Sequence, residues 1–268
     1  MSAELPSLTI VTPCLNAAAT IQETIESVAG QGYGGELEHI VVDGGSTDGT
    51  LDIVRRAGLR CLSEPDRGLS DALNKGLRLA RHEIFAELNA DDVYLPGALE
   101  AVGRAFADHP EAEWLTGRCA IIDLDGSEIK RAISAYKDFF LRRWSLSLHL
   151  VQNFVAAPST FVRTSALREI GGYDERFRYA MDYDVWLKLG RRGSPIVLDE
   201  RLAAFRMAGP TLSLNNLTAV FREHALTARE NGHDRRLAVA TNAVSSRVIL
   251  AVYRLSRLGA SARPDAGA

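Results

Sequence analysis

Two adjacent carboxylates, Asp91 and Asp92, follow the short apolar segment from Ile84 to Leu88, which is typical of a strand. Neighbouring carboxylates repel each other unless a cation offsets their charge. Mg²⁺ and Mn²⁺ are commonly held by one or two carboxylates together with substrate phosphates. The pair therefore predicts a divalent metal, Mn²⁺ or Mg²⁺. The structural alternative is that both residues only cap the helix that is predicted from Pro96.

Polar loops also follow the other strands predicted in the first hundred residues, at Thr12–Asn16, Asp43–Thr50 and Glu64–Gly68. Ligands of open α/β sheets bind beyond the carboxyl ends of the strands, so these loops predict one polar rim. Asp43 is suited to accept hydrogen bonds from a base or ribose, and the glycines after it let the backbone approach a ligand. A helix cap or tight turn would explain any one of these loops, but their combination favours a binding site.

Several other chemistries lack their motifs in this sequence. Gly30, Gly32 and Gly35 match GxGxxG, but they follow a helix and precede a strand, which is the reverse of the dinucleotide-binding order. No GxxxxGK[ST] loop and no GxSxG elbow occur. The histidines show no metal-ligand spacing such as HExxH. A P-loop is therefore excluded, and the nucleophile elbow of α/β-hydrolases is absent.

The composition is that of a soluble globular protein, with 268 residues, 46% hydrophobic residues and a net charge of -3. A nucleic-acid binder usually has a basic excess, so we expect no nucleic-acid partner. The three scattered cysteines indicate reduced thiols in a cytoplasmic compartment. We also expect neither a signal peptide nor a membrane span, because no segment has the required apolar length.

Strand and helix patterns alternate over the first hundred residues, which predicts a mostly parallel, Rossmann-like sheet with helices on both faces. Thr20 and Glu23 have the spacing of a capping box at the first helix. After residue 110 the pattern changes, and we expect an antiparallel hairpin around Asp125-Gly126. The strands predicted in this second part are Trp114–Leu124, Glu128–Ile133, Ser159–Arg163, Pro195–Asp199 and Leu202–Met207.

These changes divide the chain into a first lobe (1–115), a second lobe fused to the same sheet (116–215), and C-terminal helices (216–268). The aromatic and basic segment 136–150 would either line an acceptor groove or pack between the lobes. The arginine-rich segment 235–258 would either touch an anionic membrane or pack against the core.

Short motifs occur in order along the chain, at Ile10–Asn16, Val41–Thr50, Glu64–Gly68, Asp71–Gly76, Leu88–Asp92, Gly171–Asp174 and Met181–Trp186. In this combination the chain resembles the family 2 glycosyltransferases of the GT-A fold, from about Leu8 to Ser213. Members of that family use nucleotide sugars and invert the anomeric centre. The resemblance implies a GT-A-type sheet, a nucleoside-diphosphate-sugar donor and a divalent metal.

The resemblance also implies that the first lobe (1–115) binds the nucleotide sugar and that the second lobe (116–215) is the acceptor-binding and catalytic lobe. It implies roles for residues of the first lobe. Thr12, Pro13 and Asp43 would border the nucleotide base and ribose, and Asp66 and Asp71 are further candidates for donor binding.

Five residues are candidates for the reaction itself. By the resemblance, Asp91 would touch the donor sugar or ribose, and Asp92 would bind the metal that bridges the diphosphate. Asp182 stands at the position where the family has its catalytic carboxylate, and Asp184 is the alternative base. Arg206 follows an apolar strand and would add positive charge at the diphosphate, unless it is a surface arginine.

These residues together suit a single displacement. A base takes the acceptor proton, and the metal acts as a Lewis acid on the leaving diphosphate, so that no leaving-group acid is needed. One base and one face of attack imply inversion.

The sequence departs from the family pattern at three positions. Leu73 stands where many members have arginine, so Arg67 or Lys75 would have to replace that contact. Met181 stands where many members have glutamate, and Ala208 where many have histidine.

We expect an inverting glycosyltransferase with a saccharide or lipid-linked acceptor, acting in polysaccharide, lipopolysaccharide or glycolipid assembly. Two alternatives are a sugar-nucleotide-forming nucleotidyltransferase and a non-catalytic nucleotide-sugar-binding module. The first would need a glycine-rich, basic loop after strand one, and the second would lack Asp182. The expected location is the cytoplasm, with peripheral contact at the inner face of the membrane as an option. Donor base, linkage and oligomeric state stay open.

Overall fold

The computed structural model describes residues 4–207 and 216–247 of the chain. The strands are β1 (Leu8–Cys14), β2 (Leu37–Asp43), β3 (Arg60–Ser63), β4 (Ile84–Glu87), β5 (Val93–Tyr94), β6 (Trp114–Ile122), β7 (Thr160–Arg163) and β8 (Ile196–Arg206). The helices are α1 (Ile21–Ala29), α2 (Thr50–Arg56), α3 (Leu69–Leu79), α4 (Ala98–Asp108), α5 (Arg131–Leu141), α6 (Leu146–Val151), α7 (Thr164–Glu169), α8 (Met181–Arg192), α9 (Leu217–Asn231) and α10 (236–247).

All of these strands belong to one eight-stranded sheet in the order β3-β2-β1-β4-β7-β6-β8-β5. Strands β3, β2, β1 and β4 are parallel, as their alternation with helices predicts. Strand β7 is antiparallel to β4 and β6, and β5 is antiparallel to β8. The predicted α/β fold class is confirmed, and the sheet runs without interruption through residues of both predicted lobes.

Helices cover both faces of this sheet because its central strands are apolar on both sides. On β1, Val11 packs with Leu73 of α3 and Trp186 of α8, whereas Ile10 packs with Leu99 of α4 on the opposite face. Such continuous apolar strands are typical of parallel sheets that are buried on both faces.

Of the predicted antiparallel hairpin after residue 110, the turn at Asp125-Gly126 forms, but the second strand, Glu128–Ile133, does not. Strand β6 ends at Ile122, and Glu128 forms only an isolated bridge with it. The chain then enters α5 at Arg131, and β6 pairs with β8 in parallel instead. The two short strands predicted around residue 200 are one strand, β8, whose irregular pairing with β6 falls near Gly117, where any Cβ would collide with Leu202.

The predicted capping box of α1 is also not formed, because the Thr20 side chain makes no capping hydrogen bond. Glu23 instead forms an ion pair with Arg206 at the end of β8, at 2.5 Å. The Glu23 side chain therefore forms a long-range ion pair instead of the local capping hydrogen bond.

The C-terminal helices pack on the second half of the sheet. Helix α9 contributes Ala228 to a cluster with Leu150 of α6 and Tyr183 and Leu187 of α8. Of the predicted helix at 235–258, only residues up to 247 are described, and Ala208 also lies outside the described residues. Within 4–207 and 216–247, the helices are too short or too polar to cross a membrane.

Candidate active site

The carboxyl ends of β3, β2, β1 and β4 lie side by side and form one rim of the sheet. The loops after these strands carry Asp66, Asp43, Asn16 and Asp91 in that order. Asn16 Oδ1 accepts a hydrogen bond from the Thr47 N–H at 2.9 Å, which ties the β1 loop to the β2 loop. The sheet therefore brings the predicted polar loops together.

Asp43 shapes the glycine loop after β2. It is fully buried, and its carboxylate accepts hydrogen bonds from the N–H of Gly45 at 3.1 Å and the hydroxyl of Ser63 at 2.7 Å. Burial raises the pKa of Asp43, but the hydrogen bonds from Ser46, Ser63 and Gly45 outweigh it and hold the pKa below its usual value. Asp43 is therefore charged and rigidly held, and its contact with a base or ribose stays a prediction.

Asp66 lies directly against this loop. A Cβ at Gly44 would collide with the Asp66 carboxylate, so glycine is needed for the close approach. Asp66 is partly exposed, and it accepts a hydrogen bond from the Gly68 N–H at 2.9 Å. Its position beside Asp43 suits contact with a donor at the rim.

Thr12 and Pro13 lie inside the protein rather than on its surface. The Thr12 hydroxyl and His39 Nε2 form a buried hydrogen bond of 2.8 Å. Burial lowers the pKa of His39 to about 4, so this histidine is neutral. The geometry gives the Thr12 side chain a structural role, because its hydroxyl already has a partner within the sheet.

Asp71 is also enclosed, with 6% of its surface exposed. It accepts a hydrogen bond from the Arg67 N–H at 3.0 Å, and the Arg67 side chain lowers the pKa of Asp71. Lys75 lies 3.6 Å from Asp71 and 3.0 Å from Glu64, so it is held by the third loop. Leu73, the departure from the family pattern, is buried in the core and leaves Lys75 and Arg67 as the cations of this loop.

Asp91 and Asp92 differ in their surroundings although they are adjacent. Asp92 is fully buried, and its carboxylate accepts hydrogen bonds from the Arg206 N–H at 2.9 Å and the Asn89 side chain at 3.3 Å. Asp91 stays partly exposed at the rim. Burial raises the pKa of both groups, and the charge of Asp91 adds to the rise at Asp92. The pair therefore favours a bound cation, with Asp91 as the accessible carboxylate.

Arg206 is buried, with 2% of its surface exposed, and does not project into an open cleft. Its guanidinium donates to the carbonyls of Asp91 at 2.9 Å and of Asp123 and Leu124 at 3.0 Å, and it pairs with Glu23. The expected contact with a diphosphate differs from this arrangement, because most of its N–H groups are already used. Arg206 instead holds the Asp91 loop in place.

The structure distinguishes Asp182 from Asp184, the two candidate bases. Asp184 has 1% exposure and lies 2.6 Å from Lys188, and it accepts a hydrogen bond from Asn231 at 3.0 Å. Asp182 is partly exposed in the first turn of α8, where the Tyr183 N–H donates to it at 2.6 Å. Burial raises the pKa of Asp182. A partly exposed carboxylate with a raised pKa suits a general base better than one held in a buried ion pair.

Glu87, the last residue of β4, is a site residue that the sequence patterns did not predict. Glu87 has 5% exposure, accepts a hydrogen bond from the Tyr173 hydroxyl, and interacts electrostatically with Asp182 and Asp92. Burial, followed by the charge of Asp182, raises the pKa of Glu87 to about 8. A charged residue inside an apolar strand segment was the available signal for this site.

Tyr173 is positioned by Asn74, which lies in helix α3 before β4. Asn74 of α3 donates to the Tyr173 carbonyl at 2.8 Å and accepts from its N–H at 2.9 Å. The motifs around residues 74 and 173, which are distant in sequence, therefore act together to place the Tyr173 hydroxyl on Glu87.

A surface cavity of about 480 Å³ lies elsewhere, at the start of β6 and β8 near Trp114 and Arg192. The start of these strands is the opposite edge of the sheet from the carboxylate rim. This cavity is therefore separate from the candidate active site.

Comparison with known proteins gives a family match. Residues 9–171 match the family model described as Glycosyl transferase family 2. The chain is 30% identical over 190 residues to a PGL/p-HBAD biosynthesis glycosyltransferase of Mycobacterium bovis, and the match covers 67% of this chain and 68% of the relative.

Solved structures with the same fold include two complexes with nucleotide sugars. The mannosyltransferase PcManGT of Pyrobaculum calidifontis, with GDP-Man and Mn²⁺, has a TM-score of 0.64 at 22% identity over 96% of this chain and 80% of that one. S. aureus TarS 1-349, with UDP-GlcNAc, has a TM-score of 0.62 at 19% identity over 82% of this chain and 66% of that one. In the longer TarS structure the match spans 39% of that chain.

The buried Glu87 predicts a specific dependence of stability on pH. Its pKa is raised from 4.5 to about 8 in the folded protein, so the folded state holds a proton that the unfolded chain has released. This stabilising contribution is complete below pH 4.5 and is lost as the pH rises through 8. We expect Glu87→Gln to abolish this decrease in stability with rising pH, which amounts to at most about 1.4 kcal/mol per pH unit.

Urea unfolding of both proteins at pH 5, 7 and 9 measures this effect. The stability of wild type relative to Glu87→Gln should fall across the series, whereas exposed Glu200→Gln should track wild type. A constant difference between wild type and Glu87→Gln would show that Glu87 is ionised in the folded protein at all three values.

Proposed function

Since this chain belongs to glycosyl transferase family 2, we propose that it is an inverting enzyme that moves a sugar from a nucleoside-diphosphate sugar onto an acceptor hydroxyl. One observation carries the proposal. Asp92, which adjoins the rim residue Asp91 in the first lobe, and Asp182 of the second lobe both interact with the same buried residue, Glu87. A donor bound at the rim would therefore have a base beside its reactive end.

Asp182 acts as the general base in this proposal. The acceptor oxygen forms a bond to the anomeric carbon, the bond from that carbon to the diphosphate oxygen breaks, and the acceptor proton passes to Asp182. The pKa of Asp182 is raised toward neutral pH, and a general base is most effective when its pKa lies near the working pH. Attack from the face opposite the leaving diphosphate gives inversion.

A divalent metal, where one is used, would be held by Asp91. Asp91 is partly exposed, whereas both oxygens of Asp92 already accept hydrogen bonds. Within 4–207 and 216–247, no cluster of three or more metal-binding side chains occurs. A single carboxylate still fits Mg²⁺ or Mn²⁺, because substrate phosphates and water complete the coordination of such ions. The ion would supply positive charge to the leaving diphosphate.

The donor and acceptor are proposed only by class. Structural neighbours bind UDP-GlcNAc or GDP-Man, and we propose a nucleoside-diphosphate sugar with UDP, GDP or dTDP. A saccharide or lipid-linked acceptor in cell-envelope polysaccharide or glycolipid assembly is the corresponding acceptor proposal. A thermal-shift screen of these diphosphates with Mn²⁺ tests the donor base, since ligand at 100 times its Kd adds about 2.7 kcal/mol to stability.

Substitution of the proposed base gives the main test. Asp182→Asn keeps the shape but removes the charge, so we expect kcat to fall roughly 10²-fold or more, with donor affinity nearly unchanged. Release of nucleoside diphosphate from the donor found in the screen, with and without acceptor, measures turnover. Asp184→Asn is the matched control, and it should lower stability through Lys188 and Asn231 more than kcat. Full turnover in Asp182→Asn, or loss of it in Asp184→Asn alone, contradicts the assignment.

The metal assignment is tested by binding rather than turnover. Asp91→Asn should abolish the gain in nucleoside-diphosphate affinity that Mn²⁺ provides, because the accessible carboxylate is lost. Asp92→Asn should mainly lower the unfolding temperature, since an NH2 group replaces one of the two buried oxygens that accept from Asn89 and Arg206. Calorimetric titration of both variants with and without Mn²⁺ separates the roles, and the reverse pattern would assign the metal to Asp92.

We also propose peripheral membrane contact through α10. Leu237 and Val244 are 83% and 59% exposed and lie two helical turns apart on one face. Arg236 and Arg247 flank them and are exposed. Apolar side chains between arginines suit an anionic lipid surface.

Vesicle co-sedimentation tests this contact. Binding to vesicles with phosphatidylserine should weaken with salt, and the double variant Leu237→Ser/Val244→Ser should lose most of it. Leu226→Ser, on α9 with 44% exposure, is the matched control. Equal binding of the double variant and the control would show that α10 does not contact the membrane.

A further inference from the structure

Helix α9 holds the segment that precedes Asp182 at one point in particular. Glu223 Oε2 accepts hydrogen bonds from three consecutive backbone N–H groups, those of Arg178 at 3.0 Å, Tyr179 at 2.7 Å and Ala180 at 3.1 Å. Ala180 is the N-cap of α8, and its side chain has no oxygen with which to cap the helix. Glu223 instead binds the backbone immediately before the helix, from a different helix.

Two more contacts fasten α9 to the same region. Glu230 pairs with Arg176 at 3.0 Å, and Asn231 donates to Asp184 at 3.0 Å. The rings of His224 and Tyr183 lie 5.0 Å apart. Residues on both sides of Asp182 are therefore fixed by α9, which lies outside the residues that match the family model.

We propose that Glu223 is a positioning residue for Asp182, on the premise that Asp182 is the base of the proposed function. Three N–H groups that converge on one point, at the start of a helix, form a strong site for an anion. Asp182 lies two residues after Ala180, in the first turn of the same helix. By occupying these donors, Glu223 fixes the backbone from which Asp182 meets the acceptor hydroxyl.

The proposal predicts an effect on the titration of Asp182 that simple destabilisation would not produce. Glu223→Ala removes a negative charge and frees three N–H groups at the start of α8, which favours the charged form of Asp182 and lowers its pKa. The titratable and charged groups that face Asp182 from neighbouring elements are Glu87, Lys137, Tyr173 and Tyr183. All four are unchanged in this variant, so a shift is assigned to the loss of Glu223.

Carbon-13 NMR titration of aspartate carboxyls in the full chain, with the Asp182 signal identified by its loss in Asp182→Asn, measures this pKa without substrate. We expect a lower pKa in Glu223→Ala, partial recovery in Glu223→Gln, which keeps an acceptor oxygen, and no shift in the control Glu230→Gln. An unchanged pKa of Asp182 in Glu223→Ala, or the same shift in Glu230→Gln, overturns the proposal.

Turnover separates this inference from the proposed function. With UDP-GlcNAc and GDP-Man as probe donors, we expect kcat to fall at least about tenfold in Glu223→Ala while KM for the donor stays within about twofold, since a misplacement of about 1 Å can cost roughly 10²-fold. Adding Glu223→Ala to Asp182→Asn should lower kcat no further. A fully active Asp182→Asn defeats the proposed function, whereas an inactive Asp182→Asn with normal kcat in Glu223→Ala defeats only the role of Glu223.

Discussion

The candidate site depends on the burial of one cation, the guanidinium of Arg206. A buried arginine is tolerated only when its charge is balanced and its N–H groups find acceptors. Glu23 supplies the charge, and the carbonyls of Asp91, Asp123 and Leu124 supply acceptors. Helix α1, the loop after β4 and the turn after β6 are thereby fixed to the end of β8. The geometry of the Asp91 loop follows from this one side chain.

Aspartates that look alike in the sequence have different roles because their surroundings differ. Asp92 and Asp184 are buried and paired with donors, so they organise the structure around them. Asp91 and Asp182 keep part of their surface exposed, which leaves them able to meet a ligand. Burial of Glu87 between the two groups keeps it protonated near neutral pH, which limits the negative charge at the centre of the site.

Local patterns predicted much of this fold, and long-range contacts account for the rest. The strands, the helices between them and the polar loops follow from apolar runs and turn residues that are adjacent in sequence. The roles of Glu23 and Glu223 depend on partners that lie far away in the chain. The alternation of apolar and polar residues after Glu128 predicts a strand. In the folded protein Glu128 forms only an isolated bridge, and a helix begins at Arg131.

The position of β5 in the sheet has a consequence for synthesis of the protein. Strand β5 follows β4 directly in the chain, but its partners Ala203 and Ala204 belong to β8. A ribosome adds about 5–20 residues per second, and the N-terminal part of a chain folds first. The first four strands can pair while the rest is still being made, but the Asp91 loop cannot reach its final form until Arg206 has emerged. The nascent chain therefore carries an incomplete donor site and an apolar, unpaired sheet edge at β4 until most of the protein has been made, and this is the stage at which it is most prone to aggregate.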